Sequence, residues 1–277
     1  MATSNHDGYL LVGISNPETV EQLVPTAIDI ANDRSLAIML RNVVRVPPQV
    51  PLSEAPGLIE AEGEDSLEEA RQRVAEASIP VDSSLRYARS VAKGLVGAAE
   101  EHSAELLLMG WHGRPPRRDI ILGGHLDTVL RNAPCDILVK RLNDEPKTEV
   151  SSVLVPIAAG IHNELAVDLA ASIARVRSAT LGLVHVVDMD ATDEEHARAS
   201  ELLEDARAGA SDLEVTTEVI EHDDVVEAIV ETTAAYDMTV LGATEQPIIR
   251  RKLVGTVSAA VGRDGDGQLM IAQRHPE

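Results

Sequence analysis

The sequence predicts an α/β protein made of two tandem open parallel sheets, five strands each, with helices on both faces. Three observations predict it. The chain has 277 residues, about twice the size of a small α/β domain. Short Val/Ile/Leu-rich runs alternate with longer amphipathic stretches, as when buried parallel strands are joined by crossover helices. The pattern is also written twice. Tyr9-Leu10-Leu11-Val12-Gly13-Ile14-Ser15 resembles Ser152-Val153-Leu154-Val155-Pro156-Ile157-Ala158, and Leu106-Leu107-Leu108-Met109-Gly110 resembles Met238-Thr239-Val240-Leu241-Gly242.

The first pair lies 143 residues apart and the second 132, so the first repeat carries about 11 extra residues in between. The segment from Pro47 to Asp65, with four prolines and two glycines, reads as a surface loop and holds the excess. Strands are expected near 8–15, 36–46, 80–89, 105–110 and 136–141 in the first repeat. In the second they are expected near 152–158, 180–188, 213–221, 237–242 and 268–273. Between them, Pro17 suits the first turn of a helix capped by Asn16. Pro25 interrupts the apolar pattern of that helix and is expected to kink it or delay its start. Ser66-Leu67-Glu68-Glu69 reads as a capping box, and Asn163 as the cap of the helix that buries Ala166, Leu169, Ala170 and Ile173. The polar stretch 143–150 reads as a linker between a first domain, 1–142, and a second, 151–277.

Composition excludes several function classes. Forty-six acids against 24 bases give a net charge of −22, and 20 of those bases are Arg. Such a chain is a poor nucleic-acid binder, because phosphate affinity comes from Lys and Arg. No apolar run approaches the ~20 residues of a membrane span, and no leader is visible. A cytoplasmic protein is expected. The single Cys135 rules out an intramolecular disulfide and a multi-cysteine zinc site, and reads as a small buried residue. Surplus acid with few lysines points to a salt-rich, halophilic cytoplasm. The charge is uneven: the first domain carries 14 bases and 20 acids, the remainder 10 and 26. Two segments run against this, with 6 bases to 3 acids in 110–141 and 5 to 3 in 242–274.

The first of these segments is the most informative. Gly110, Gly113, Gly123 and Gly124 lie between an expected strand and an expected helix (Leu126, Val129, Leu130), with Arg114, Arg117 and Arg118 among them. Glycines let backbone N–H groups approach a ligand, and a helix start offers free donors and a positive dipole end to phosphate. Trp111 reads either as a stacking surface or as a cover for an apolar edge. His112 and His125 have no neighbouring carboxylate or cysteine to complete a metal site; His125, at the helix start, reads as a donor to an anion or to solvent. Asp193-Glu194-Glu195 and Asp223-Asp224 read as helix-start acids. No Ser/His/Asp set, Gly-x-Ser-x-Gly elbow or Walker lysine is present, so no catalytic residue is assigned and an enzyme is not expected, slow ATP hydrolysis aside.

The spacing Gly110-x2-Gly113-x9-Gly123 resembles the ATP-binding signature of the universal stress protein family. The segment Arg131-Asn132-Ala133-Pro134-Cys135-Asp136-Ile137-Leu138-Val139 resembles that family's last helix and strand. The resemblance covers both repeats. It implies strand order 3-2-1-4-5 in each sheet and self-association of two such domains through their last strands, here within one chain. It also implies ATP or AMP as ligand, with magnesium only alongside the nucleotide. Adenine would lie near Ser15, Asn42 and Val43, with phosphates on Gly113, Gly123 and Gly124. Met109, Gly110, Arg114 and His125 complete this set, and Gly242, Gly255 and Thr256 are its remnant in the second repeat. The departures are specific. Gly124 stands where the family has Ser or Thr, Glu245 replaces the second glycine of the second repeat, and Ser15 and Ala158 replace an aspartate after the first strand. Nucleotide binding is therefore expected in the first repeat. Asn16-Pro17-Glu18-Thr19 and Val46 to Glu54 are further similar to stress-protein domains fused to archaeal amino-acid permeases. The alternative this implies is a scaffold or regulatory module that binds no ATP and acts on a membrane amino-acid transporter.

Overall fold

The computed structural model describes residues 8–58, 63–112, 124–142, 149–243 and 267–276. The first unit contains β1 (Tyr9–Gly13), α1 (Pro17–Arg34), β2 (Ala37–Arg45), α2 (Ala55–Leu58), α3 (Glu64–Glu76), β3 (Val81–Ala88), α4 (Val91–His102), β4 (Leu106–Trp111), α5 (Gly124–Asn132) and β5 (Asp136–Arg141). The second contains β6 (Ser152–Pro156), α6 (Ile161–Arg177), β7 (Thr180–Val187), α7 (Asp193–Ala208), β8 (Val215–Glu221), α8 (Val225–Thr233), β9 (Met238–Gly242) and β10 (Gln268–Gln273).

Every expected strand is present. Strand order is β3-β2-β1-β4-β5 in the first unit and β8-β7-β6-β9-β10 in the second, with parallel pairing throughout each. Both follow 3-2-1-4-5. The reversal at β1 follows from crossover geometry: right-handed connections out to β2 and β3 put α1 and α3 on one face, and the return through β4 puts α4 and α5 on the other. α1 contacts α3, and α4 contacts α5.

Central strands are buried on both faces, which is why they read as continuous apolar runs. Leu10, Leu11 and Val12 are fully buried, as are Val153, Leu154 and Val155. The core is aliphatic, completed by Leu107, Leu108, Leu138, Val240 and Met270.

Helix starts are where the sequence misleads. Asn16 does cap α1: its side chain accepts from the Thr19 N–H at 2.9 Å, and Thr19 Oγ1 accepts from the Asn16 N–H at 3.0 Å. Pro25 neither delays nor ends α1, which runs through it. The other two expected caps are corrected. α3 starts at Glu64 behind Gly63, held at φ +89°, with no side-chain cap, and Ser66 is buried in its first turn. α6 starts at Ile161 behind Gly160, at φ +132°; Asn163 sits inside the first turn and reaches back to accept from the Ala158 N–H at 3.3 Å. In both, a glycine in a backbone conformation costly to L-residues starts the helix in place of a polar side chain.

Candidate functional site

In an open sheet of this topology the ligand crevice lies beyond the carboxyl ends of the strands, where strand order reverses. In the first unit that point is between β1 and β4, flanked by β2. The Ile14 N–H donates to the Arg41 carbonyl at 2.9 Å, the last rung between β1 and β2. Backbone groups of a strand point alternately to its two neighbours. Those of Val43 therefore face the β1 side, like those of Arg41, yet β1 has ended at Gly13. The Val43 N–H and C=O are aimed into the crevice.

The structure separates the predicted adenine residues. Ser15 is exposed, and its N–H donates to Thr19 Oγ1 at 2.9 Å. The Asn42 side chain is 4% exposed and lies against Gly63, where an added Cβ would come within 2.4 Å of Asn42 Nδ2 and 2.9 Å of the Ser15 carbonyl. The Val43 side chain is on the opposite face, where a Cβ on Gly94 of α4 would approach it to 2.5 Å. Met109 is buried at the end of β4. Gly110 has a packing reason to be glycine, since a Cβ there would press on Leu142 at 2.8 Å; Gly242 has one too, with Asn163 at 2.9 Å. The α5 helix begins at Gly124 with His125 exposed in its first turn, as the sequence implied. Trp111 is half-buried, and His112 is exposed. The expectations for Gly113, Arg114, Arg117, Arg118, Gly123, Glu245, Gly255 and Thr256 concern residues outside those described.

One of the six bases of the 110–141 segment is removed from any anion site. Lys140 is 3% exposed, and its ammonium donates to the Gln22 carbonyl at 2.8 Å and to Thr26 Oγ1 at 3.0 Å, inside the α1 packing. Cys135 is buried, and burial, with Asp136 nearby, pushes its thiol up to about 12, so it stays a protonated, inert side chain.

Three features escaped the sequence reading. The first is Arg89, whose guanidinium donates to the Val46 and Pro47 carbonyls and to that of Val50 at 2.9 Å, stapling down the proline-rich insertion. That segment is also anchored by Ala55, fully buried at the start of α2, so it is more than a surface loop. The second is His185, the counterpart of Asn42; the signal was present in Leu40-Arg41-Asn42-Val43-Val44 against Leu183-Val184-His185-Val186-Val187. Its Nδ1 lies 2.8 Å from the Ile157 carbonyl, so Nδ1 carries the proton and donates. The third is a cavity of about 390 Å3 at the end of β7, lined by His185 and by residues of α7.

The acidic segments behave as helix-start acids. Asp224 Oδ1 accepts from the N–H groups of Val226 and Glu227 at 2.9 and 3.2 Å. Glu195 closes a capping box with Thr192, whose N–H and hydroxyl both donate to it at 2.8 Å. No helix among the described residues is long and apolar enough to cross a membrane.

The fold defines a tandem, doubly wound α/β protein, with strand order reversing at β1 in the first unit and at β6 in the second. The chain belongs to the universal stress protein family, whose sequence profile matches residues 9–141 and 149–272. It is similar along its whole length to the crystal structure of a universal stress protein from Archaeoglobus fulgidus, with TM-score 0.67, 15% identity, and 97% of each chain covered. It is similar too to the crystal structure of the cytoplasmic domain of a prokaryotic cation chloride cotransporter, with TM-score 0.64, 12% identity, and 96% and 95% covered. In sequence it is 25% identical over 257 residues to the Na(+)/H(+) antiporter NhaS5 of Synechocystis, a match covering 90% of this chain and 35% of the antiporter. The chain thus spans about a third of that relative's length.

Proposed function

We propose that the first repeat binds an adenine nucleotide at its switch-point crevice and that the second repeat does not. The observation that carries this reading is the Val43 backbone edge, one donor and one acceptor aimed past the end of β1. That pair matches the adenine edge, which offers an amino donor beside a ring-nitrogen acceptor. The α5 start at Gly124, after β4, supplies the amide donors and dipole end that favour phosphate. Ser15, exposed where an aspartate is usual, leaves the ribose only a hydroxyl and backbone groups to meet.

Against the second repeat stand two features. Glu245 opposes phosphate, and the Ile157 carbonyl is already taken by His185. The test is calorimetry with adenosine and inosine, alongside ATP, ADP and AMP, at high salt. Inosine replaces the amino donor by an acceptor and protonates the ring nitrogen, so it meets Val43 with both groups reversed. Adenosine binding at least about tenfold tighter supports the edge contact, since one lost hydrogen bond plus an unpaired partner is worth about 1–3 kcal/mol. Equal affinity sinks it.

A second reading is favoured by one observation: the tandem pair as a whole, not a single repeat, is similar to a transporter's cytoplasmic domain and to part of an antiporter. In that reading the chain is a regulatory module for a membrane transporter. Co-purification with a membrane protein, unaffected by Gly113→Glu, supports it over the nucleotide reading.

A further inference from the structure

We infer that the second repeat carries its own ligand site, a cavity over the end of β7 that takes a primary alkyl ammonium. It goes beyond the nucleotide reading: its lining includes His185 and Val186, the counterparts of Asn42 and Val43, but neither the β6 end nor Gly242. At about 390 Å3 the cavity lies within the range of small-molecule pockets, about 300–1,000 Å3.

Two sets of groups line it. The apolar set is Val186, Val187, Ala199 and Leu202, with Val225 at the rim. Val225 is 43% exposed, and Met189, in the loop that borders the cavity, is 58% exposed. The polar set is Asp188, Asp190, Glu195 and His185. His185 donates from Nδ1 to the Ile157 carbonyl, so its Nε2 is an acceptor while the ring is neutral. The one lining base, Arg198, is engaged by Glu194. Surplus acceptors and negative charge therefore surround an apolar floor, and the half of the chain that holds them carries 26 acids to 10 bases.

This combination selects the ligand class. An anion is repelled by three carboxylates. A bare metal ion finds no use for the apolar floor, and among the described residues no group of three or more ligating side chains is placed to hold one. A quaternary ammonium needs an aromatic cage, and the lining holds no Trp, Tyr or Phe. A primary ammonium donates up to three hydrogen bonds to acceptors of this kind, and its alkyl body covers the floor. Such a group comes from a free diamine or from the lysine side chain of a partner.

The experiment follows amide and methyl resonances of Ala191, Ala199, Leu202 and Val225 in the full chain. The probes are 1,4-diaminobutane, acetyl-lysine methylamide and tetramethylammonium, at constant ionic strength. Saturable shifts at these residues with either amine, and none with tetramethylammonium, are expected; preference between the amines names the source. Neutralising the rim with Asp188→Asn and Asp190→Asn should weaken binding at least about tenfold. Glu195→Gln should weaken it too, and because Gln also completes a capping box the helix keeps its start. Absence of saturable shifts, an equal response to tetramethylammonium, or binding indifferent to these substitutions overturns the assignment. So do shifts at Ala199 and Leu202 produced by adenosine instead.

Discussion

The two repeats share strand order and register, yet the ends of their second strands differ. After β2 the chain spends residues 46–63 before α3 begins, and that insertion is held by Arg89, buried through Ala55, and closed by Gly63 against Asn42. After β7 only Asp188–Thr192 intervene before α7, and a cavity is left over the strand end. At this position one repeat packs the Asn42 side chain under Gly63, and the other leaves His185 lining an open cavity. The difference comes from connection length, not from the sheet.

The largest expected effect is at Gly63. Gly63→Ala combines a left-handed backbone with a Cβ driven into Asn42 and the Ser15 carbonyl, a cost of about 2–5 kcal/mol. Gly160→Ala, also a positive-φ glycine at a helix start, that of α6, but with nothing within 4 Å, bears the backbone cost alone, about 1–3 kcal/mol. Urea unfolding of the two variants compares them directly; equal losses mean that Gly63 does not pack as a plug.

Arg89→Ala comes next. Losing charge-assisted bonds to three carbonyls should cost about 1–3 kcal/mol and raise amide exchange across 46–58, with 188–192 unchanged. Arg89→Lys should recover only part, because an ammonium lacks the guanidinium fork. Unaltered exchange at 46–58 breaks the proposed staple.

The smallest effect concerns acid. The Thr192 backbone and hydroxyl donors hold the Glu195 carboxyl below its usual range. Its folded pKa is depressed, so its contribution is complete above the unfolded value of about 4.3 and is lost as pH falls through the folded value. Glu195→Gln should flatten that part of the acid limb of stability while leaving the melting behaviour at neutral pH close to that of the parent. An unchanged acid limb contradicts the capping role.

Much of this was legible in the residues. The central strands announced themselves, because strands buried on both faces must be continuously apolar, as Leu10–Val12 and Val153–Val155 show, whereas β3 and β8 are mostly half-buried or exposed and carry no such run. The Asn16 cap was legible too, since it is a polar side chain acting within three residues of itself, and Asp224 was legible as a helix-start acid though not as the cap it forms. The starts of α3 and α6 were not, because Gly63 and Gly160 act through backbone conformation, and a glycine in a sequence does not declare its φ. At the candidate site, Ser15 lies just past β1 and Asn42 and Val43 lie late in β2, as the strand positions implied. That Asn42 turns to Gly63 and Val43 to Gly94, leaving the Val43 backbone to face the crevice, needs the register of β1 and β2. Lys140 counted as a free cation until its burial against Gln22 and Thr26 was seen. The cavity over β7 depends on the shortness of one connection and on its neighbours, which no local motif records.

The asymmetry between repeats is tested most directly by the stoichiometry of ATP bound to the full chain at high salt, read by calorimetry. One nucleotide per chain is expected, abolished by Gly113→Glu, the substitution that copies Glu245 into the first repeat. Two equivalent sites, or no heat with any adenine nucleotide, would contradict it.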